Sequence, residues 1–283
     1  MRVIKRRKGA GEYFYIQHSY RKEGKVVTRE LYLGKKIPEN IEEIESELMH
    51  ESHEALSEKL EKIRSNFQKE WKRIPRSAKE KDLQEIAIAF TYNTNAIEGS
   101  TITLEEARLI LEDGVAPSKS IRDIRETESH AAVFLGMLKA KERLSGKLLL
   151  KWHEGIFRET KPDIAGRFRN YMVRVGSYVA PDWRMMEKLV GQLVEFVNES
   201  SLNSVEVAAR AHYMFEKIHP FGDGNGRVGR LLMNFVLWKN GYPMLVIEYK
   251  KRASYYRALQ RTEEDFVNYF IKRYLSVHER HLR

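Results

Sequence analysis

The stretch from Ile218 to Trp238 constrains the fold more than any other part of the chain. It reads Ile218-His219-Pro220-Phe221-Gly222-Asp223-Gly224-Asn225-Gly226-Arg227-Val228-Gly229-Arg230 and continues into LLMNFVLW. Three glycines at 222, 224 and 226 make a tight loop whose backbone can approach a ligand closely. The apolar run behind it reads as a helix, so the loop opens onto a helix N-terminus. Backbone N–H groups and the helix dipole favour an anion there.

Around this stretch the pattern is helix after helix. Apolar residues at Ile41, Ile44, Leu48, Leu56, Leu60, Ile63, Phe67 and Trp71 describe a long amphipathic helix that ends before Pro75. Further helices are expected over 78–93, 104–113, 120–141, 147–158, 186–197, 204–217, 226–240, 253–259 and 264–277. One interruption has strand character: Arg167–Tyr178, with Phe168, Tyr171, Val173 and Val175 around Gly176, reads as a hairpin. At the front, Tyr13–Tyr20 and Lys25–Leu33 read as strands about a turn at Lys22-Glu23-Gly24, with a shorter strand near Val3–Lys5. The expected fold class is mainly α. Its parts are a β-meander over 1–36, a long helix over 37–77 and a helical core with a hairpin over 78–283.

Composition narrows the function. With 42% hydrophobic and 32% charged residues, 283 residues can bury a core, and the absence of cysteine excludes disulfides, thiolate nucleophiles and sulfur-ligated zinc. No apolar run approaches the roughly 18 residues of a membrane span, and the basic start MRVIKRRKGAGEYFY lacks the apolar core of a signal peptide. A soluble cytoplasmic protein without membrane contact is expected. The net charge of +10 is uneven, because residues 1–40 hold 11 Lys and Arg against 4 Glu.

The loop carries the chemistry. Arg227 and Arg230, three apart at the start of the helix, suit phosphate oxygens in bidentate geometry. Asp223 is a hard oxygen ligand, and its natural use in a phosphate site is a Mg²⁺ bridging phosphate oxygens. His219 has an unperturbed pKa near neutrality and is the candidate base. Taken singly, each is an ordinary turn or surface residue. Together and in this order they are the parts that position a nucleotide phosphate for attack by a hydroxyl. The loop is not a P-loop, since GxxxxGK[ST] is absent.

His219 to Arg230 resembles the signature of Fic-domain proteins, HPFx[DE]GNGRxxR, with every fixed position filled, and the resemblance extends over about residues 80–275. It implies transfer of AMP from ATP onto a Ser, Thr or Tyr hydroxyl of a target protein, with pyrophosphate released. By this resemblance His219 is the base and Asp223 holds Mg²⁺. Gly222, Gly224, Asn225 and Gly226 cradle phosphates, Arg227 and Arg230 hold the β- and γ-phosphates, and Tyr255 and Tyr256 belong to the nucleotide site. Arg167, Phe168, Tyr171, Val173, Val175 and Gly176 resemble the flap that docks the target. Thr94-Asn95-Ala96-Ile97-Glu98-Gly99 resembles the inhibitory pattern [ST]xxxE[GN] of the form with an amino-terminal inhibitory helix. That likeness implies that Glu98 pairs with Arg230 and holds the transferase off. AMP removal, self-modification and a homodimer also occur in such proteins. One departure is Thr262-Glu263-Glu264, where some relatives place an adenine-contacting Asn.

A different class of function rests on the basic front segment with Tyr13, Phe14, Tyr15, Tyr20 and Tyr32, a mix suited to nucleic-acid binding. Elsewhere His212 reads as a packed histidine, Trp152-His153 as core with a polar edge, and His278 and His281 as solvent-exposed tail residues. Asn234 either helps to hold the site or caps an internal polar gap.

Overall fold

The computed structural model describes residues 1–9, 11–22, 25–38 and 40–283. They form two compact units, Met1–Lys62 and Ile63–Arg283, divided inside helix α1 (Ile41–Arg73).

In the first unit, β1 (Arg2–Lys8), β2 (Gly11–Lys22) and β3 (Lys25–Gly34) form an antiparallel sheet in that order. All three are longer than the sequence suggests, and residues 23 and 24 of the expected turn lie outside the described residues. Strand alternation gathers Tyr13, Tyr15 and Tyr32, with ring centroids 5.2 Å apart for Tyr15 and Tyr32 and 6.1 Å for Tyr13 and Tyr32. Part of the basic excess is already paired, through Lys5 and Arg7 to Glu12 and Arg6 to Glu30.

The second unit is helical. It comprises α2 (Arg76–Ile97), α3 (Leu104–Arg108, continued by a π-turn to Asp113), α4 (Ile121–Lys139) and α5 (Gly146–Phe157). A two-stranded hairpin follows, β4 (Arg174–Val175) with β5 (Tyr178–Val179). Then come α6 (Met186–Glu199), α7 (Ser204–Ile218), α8 (Asn225–Lys239), α9 (Arg252–Leu259) and α10 (Glu263–Val277). Side chains of Thr103, Ser120, Ser145, Asn203 and Thr262 cap helix starts by accepting a backbone N–H. None of the helices among the described residues is long and apolar enough to cross a membrane.

Helix α8 is the axis of this body. It touches α2, α4, α5 and α7, and every residue from Arg227 to Leu237 is buried. Polar groups on such a helix must find partners. Asn234 does so by exchanging hydrogen bonds with the Leu245 backbone, donating at 3.1 Å and accepting at 2.8 Å. It therefore caps an internal polar gap.

The C-terminal end differs from the sequence reading. His278 and His281 are 7% and 3% exposed, because a final turn packs back onto the body. The Asn66 amide donates to the His281 carbonyl at 2.8 Å, and the His281 ring lies edge-on to Phe67. No local pattern in a charged tail reports such packing.

Candidate active site

The site is the junction of α7 and α8. Helix α7 ends as His219 enters the left-handed region at φ 51, the only non-glycine residue with positive φ among the described residues. That conformation costs an L-residue about 1–2 kcal/mol, so the surroundings must impose it. Arg169, 4% exposed, does much of this. Its guanidinium donates to the carbonyls of His219 (2.8 Å), Tyr171 (2.7 Å) and Pro181 (2.6 Å), while its backbone N–H donates to Pro220 (2.9 Å).

The loop beyond is closed from inside. Asn225 accepts from the Phe221 N–H at 2.9 Å and donates to the Phe221 carbonyl at 2.8 Å. The Gly166 N–H donates to His153 Nδ1, so Nε2 carries the proton and donates to the Asp223 carbonyl, both at 3.0 Å. The His153 ring stacks on Phe221 at 3.9 Å, and burial pushes its pKa down to about 4. Two glycines are required by contact: a Cβ on Gly224, at φ 79, would collide with the Phe157 ring, and one on Gly226 would collide with Glu98.

His219 itself is half-buried, with Nδ1 3.4 Å from the Glu216 carbonyl. Burial lowers its pKa below the ordinary histidine value. The imidazole is therefore neutral near pH 7, with Nδ1–H toward the carbonyl and Nε2 left to accept a proton.

Two charge clusters flank the loop. In the first, Asp223 is ion-paired to Lys161, and Glu126 to Arg227. Lys161 also lies 3.5 Å from Glu126, and Arg227 lies over the Phe157 ring at 4.3 Å. Burial opposes ionisation of both carboxyls, but the cations beside them win and hold their pKa values below the ordinary range. In the second cluster Arg230, 1% exposed, donates to Thr94 Oγ1 at 2.6 Å, to the Thr94 carbonyl at 3.2 Å and to Glu98 at 2.6 Å. Tyr255 and His212 line its far side, their polar atoms 2.7 Å apart. Beneath them burial pushes the Glu216 carboxyl up to about 7, and His212 down to about 3.

The sequence-proposed residues therefore gather, with refinements. Glu98 caps α2 and meets Arg230, followed by Gly99 at φ 93. The Asn225 side chain is spent on the loop, so its backbone N–H is what it can offer a phosphate. Arg227 and Arg230 go to different partners. Tyr255 is fully buried behind Arg230, and Tyr256 is exposed at 39%. Glu263 and Glu264, at the departure noted above, pair with Arg210.

The hairpin is shorter than Arg167–Tyr178. Arg167 and Phe168 lie in the preceding loop, where Phe168 packs near Phe221. Tyr171 approaches Gly222, Val173 accepts from the Ala180 N–H, Val175 is in β4, and Gly176 makes the turn at φ 60. Sequence reasoning did not single out Glu126, Lys161, Arg169 or Glu216. Glu126 is 101 residues from Arg227, a separation that no local spacing reports.

Comparisons with known proteins agree with this geometry. Residues 143–237 match the Fic/DOC family model, spanning α5 to α8 and the loop. The chain is 35% identical over 207 residues to protein adenylyltransferase fic-1 of Caenorhabditis elegans, covering 69% of this chain and 40% of that protein. It is 32% identical over 198 residues to protein adenylyltransferase Fic of Nematostella vectensis, covering 67% and 46%. The chain thus spans about half the length of the curated relatives it matches. Among solved structures, a Fic-domain signaling protein from Bacteroides thetaiotaomicron superposes with a TM-score of 0.70 at 24% identity, covering 79% of this chain and 95% of that one. Residues 134–508 of C. elegans Fic-1 superpose with a TM-score of 0.68 at 29% identity, covering 86% and 77%. The helical body has the Fic fold, and the chain belongs to the Fic/DOC family.

Proposed function

We propose that this chain is a protein adenylyltransferase, moving AMP from ATP to a Ser, Thr or Tyr hydroxyl of a target protein. The observation that carries the reading is a neutral His219 held beside a glycine loop, with Arg227 and Arg230 rooted at its edge. Relatives named protein adenylyltransferase support the same chemistry.

In this reading Nε2 of His219 takes the proton of the attacking hydroxyl. The hydroxyl oxygen bonds to the α-phosphorus, the bond from that phosphorus to the bridging oxygen breaks, and pyrophosphate leaves with the electron pair. N–H groups at the start of α8 and the two arginines stabilise the charge on the phosphates. Exposed Val175 and Val179 on the short hairpin offer backbone to an extended target segment.

The donor set at Asp223 fits Mg²⁺. A half-exposed ionised carboxylate leaves room for phosphate oxygens and water, and a Lys161 ammonium already rests against it. Mg²⁺ held there would supply charge neutralisation at the phosphates.

Glu98 occupies Arg230 and so denies ATP the cation that should seat its γ-phosphate; the resting chain is held off. A carboxylate so placed could also orient water for AMP removal. The test follows α-labelled ATP incorporation and intact mass with Mg²⁺ in wild type, Glu98→Gly and Glu98→Gly/His219→Ala. An adduct in the single variant that disappears in the double supports the reading. An adduct that survives loss of His219 rejects the assigned base.

A further inference from the structure

Lys161 stands against Asp223, the carboxylate assigned above to the metal. We propose that Lys161 is a built-in cation surrogate: its ammonium holds the divalent-metal position at Asp223 in the nucleotide-free chain and withdraws to Glu126 when the metal arrives. The inference rests on the adenylyltransferase reading and adds a second restraint, independent of Glu98.

Three features support it. First, the Lys161 side chain is only 15% exposed, whereas Asp223 is 46% exposed. The ammonium therefore comes from inside the protein and covers the inner side of a carboxylate whose outer side faces solvent. Second, its ammonium is steered by an aromatic face, with Nζ 5.0 Å from the centroid of the Phe157 ring, the ring that also carries Arg227. Third, an alternative resting place exists. Glu126 is 7% exposed and gives Oε2 to Arg227. Its Oε1 is buried and lies 3.5 Å from the same ammonium, with the Arg122 guanidinium 3.3 Å away. A lysine between a solvent-facing carboxylate and a buried one within reach has two positions, and a cation at Asp223 favours the second by repulsion.

The chemistry discriminates this from a structural salt bridge. An ammonium and Mg²⁺ compete for the same lone pairs, but only the metal can also bridge phosphate oxygens. Metal alone has to displace a charge-assisted hydrogen bond. Metal carried by a nucleotide brings its own phosphates and displaces Lys161 at lower concentration. The device makes metal loading depend on nucleotide.

The test measures Mn²⁺ binding by electron paramagnetic resonance, with and without a non-hydrolysable ATP analogue, in wild type, Lys161→Met, Lys161→Arg and Asp223→Asn. Without nucleotide, Lys161→Met is expected to bind Mn²⁺ about tenfold or more tightly than wild type, as expected for removing one charge-assisted competitor. Lys161→Arg, which keeps the cation, should stay near wild type, and Asp223→Asn should lose the site. Melting curves confirm that each variant is folded, and Lys161→Arg controls for a general loss of packing. Equal Mn²⁺ affinity in wild type and Lys161→Met overturns the surrogate while leaving the transferase reading intact. Mn²⁺ binding that ignores Asp223→Asn overturns the surrogate together with the assignment of the metal to Asp223.

Discussion

Replacing Glu98 with glycine isolates the contact on which the proposed autoinhibition depends. The Glu98 carboxylate is 25% exposed and 2.6 Å from Arg230, which is 1% exposed. Stripping one partner from a fully buried pair costs about 3–5 kcal/mol. Here the glutamate is partly solvated, and Arg230 keeps both Thr94 oxygens. The cost falls to about 2 kcal/mol, near that of one charge-assisted hydrogen bond. For a body of this size the melting temperature drops by about 4–8 °C. ATP should reverse this, since its γ-phosphate replaces the carboxylate, and saturation at 100 Kd contributes about 2.7 kcal/mol. Wild type gains less, because ATP must first break the pair. Correct seating of the α-phosphate is worth about two orders of magnitude in rate, the cost of a displacement near 1 Å. The assays are thermal melts with a non-hydrolysable analogue and pyrophosphate release with ATP. Equal stabilisation of both proteins by the analogue would refute the reasoning, because Glu98 would then not be competing with phosphate.

Further perturbations probe the loop and the buried histidines. His219→Gly should abolish transfer yet raise the unfolding free energy by about 1 kcal/mol, read as a higher urea midpoint, because glycine takes the left-handed conformation without penalty. Gly224→Ala should destabilise by about 2 kcal/mol or more, from φ 79 combined with the collision with Phe157, and calorimetry reads it directly. Acid should destabilise the fold above the range where surface carboxylates titrate. His153, His212 and His278, held down to about 4, 3 and 4, stay neutral in the folded chain while the unfolded chain takes up protons below about pH 6.5. Each then loses about 1.4 kcal/mol per pH unit, and Glu216, raised to about 7, returns about one such increment between pH 7 and 4.5. These four groups together give a fall of about 3 kcal/mol per pH unit between pH 6.5 and 4.5, and His130, which burial also holds well below the ordinary histidine value, adds to it; urea titration at several pH values measures the slope. The transfer rate of Glu98→Gly should stay level through the range where an ordinary histidine titrates and decline only below it, as His219, its pKa lowered by burial, becomes protonated.

Elements whose information is local were legible in the sequence. Helix periodicity gave α1 to within two residues at its end and placed α4 to α10 nearly as found, because hydrophobic spacing and caps act over one or two turns. The loop could be read because three glycines, two arginines, an aspartate and a histidine are contiguous. Even the pairing of Glu98 with Arg230 could be expected, although it closes over 132 residues, because a short pattern resembling a known family marked one end of it.

What tertiary structure alone decided is how the charges are shared. Arg227 and Arg230 look equivalent in sequence, but α4 brings Glu126 to one and α2 brings Thr94 and Glu98 to the other. Asp223 reads as a free metal ligand until the turn after α5 delivers Lys161 to it. Arg169 clamps the loop from a segment that reads only as hairpin. His278 and His281 become core residues when the chain end folds back. For Arg227 and Arg230 the deciding partners are set by packing around α8, and burial makes a partner obligatory, since an unpaired charge there would be too costly to keep. The sequence by itself determined which groups could do chemistry; the fold decided which of them are already engaged before a nucleotide arrives.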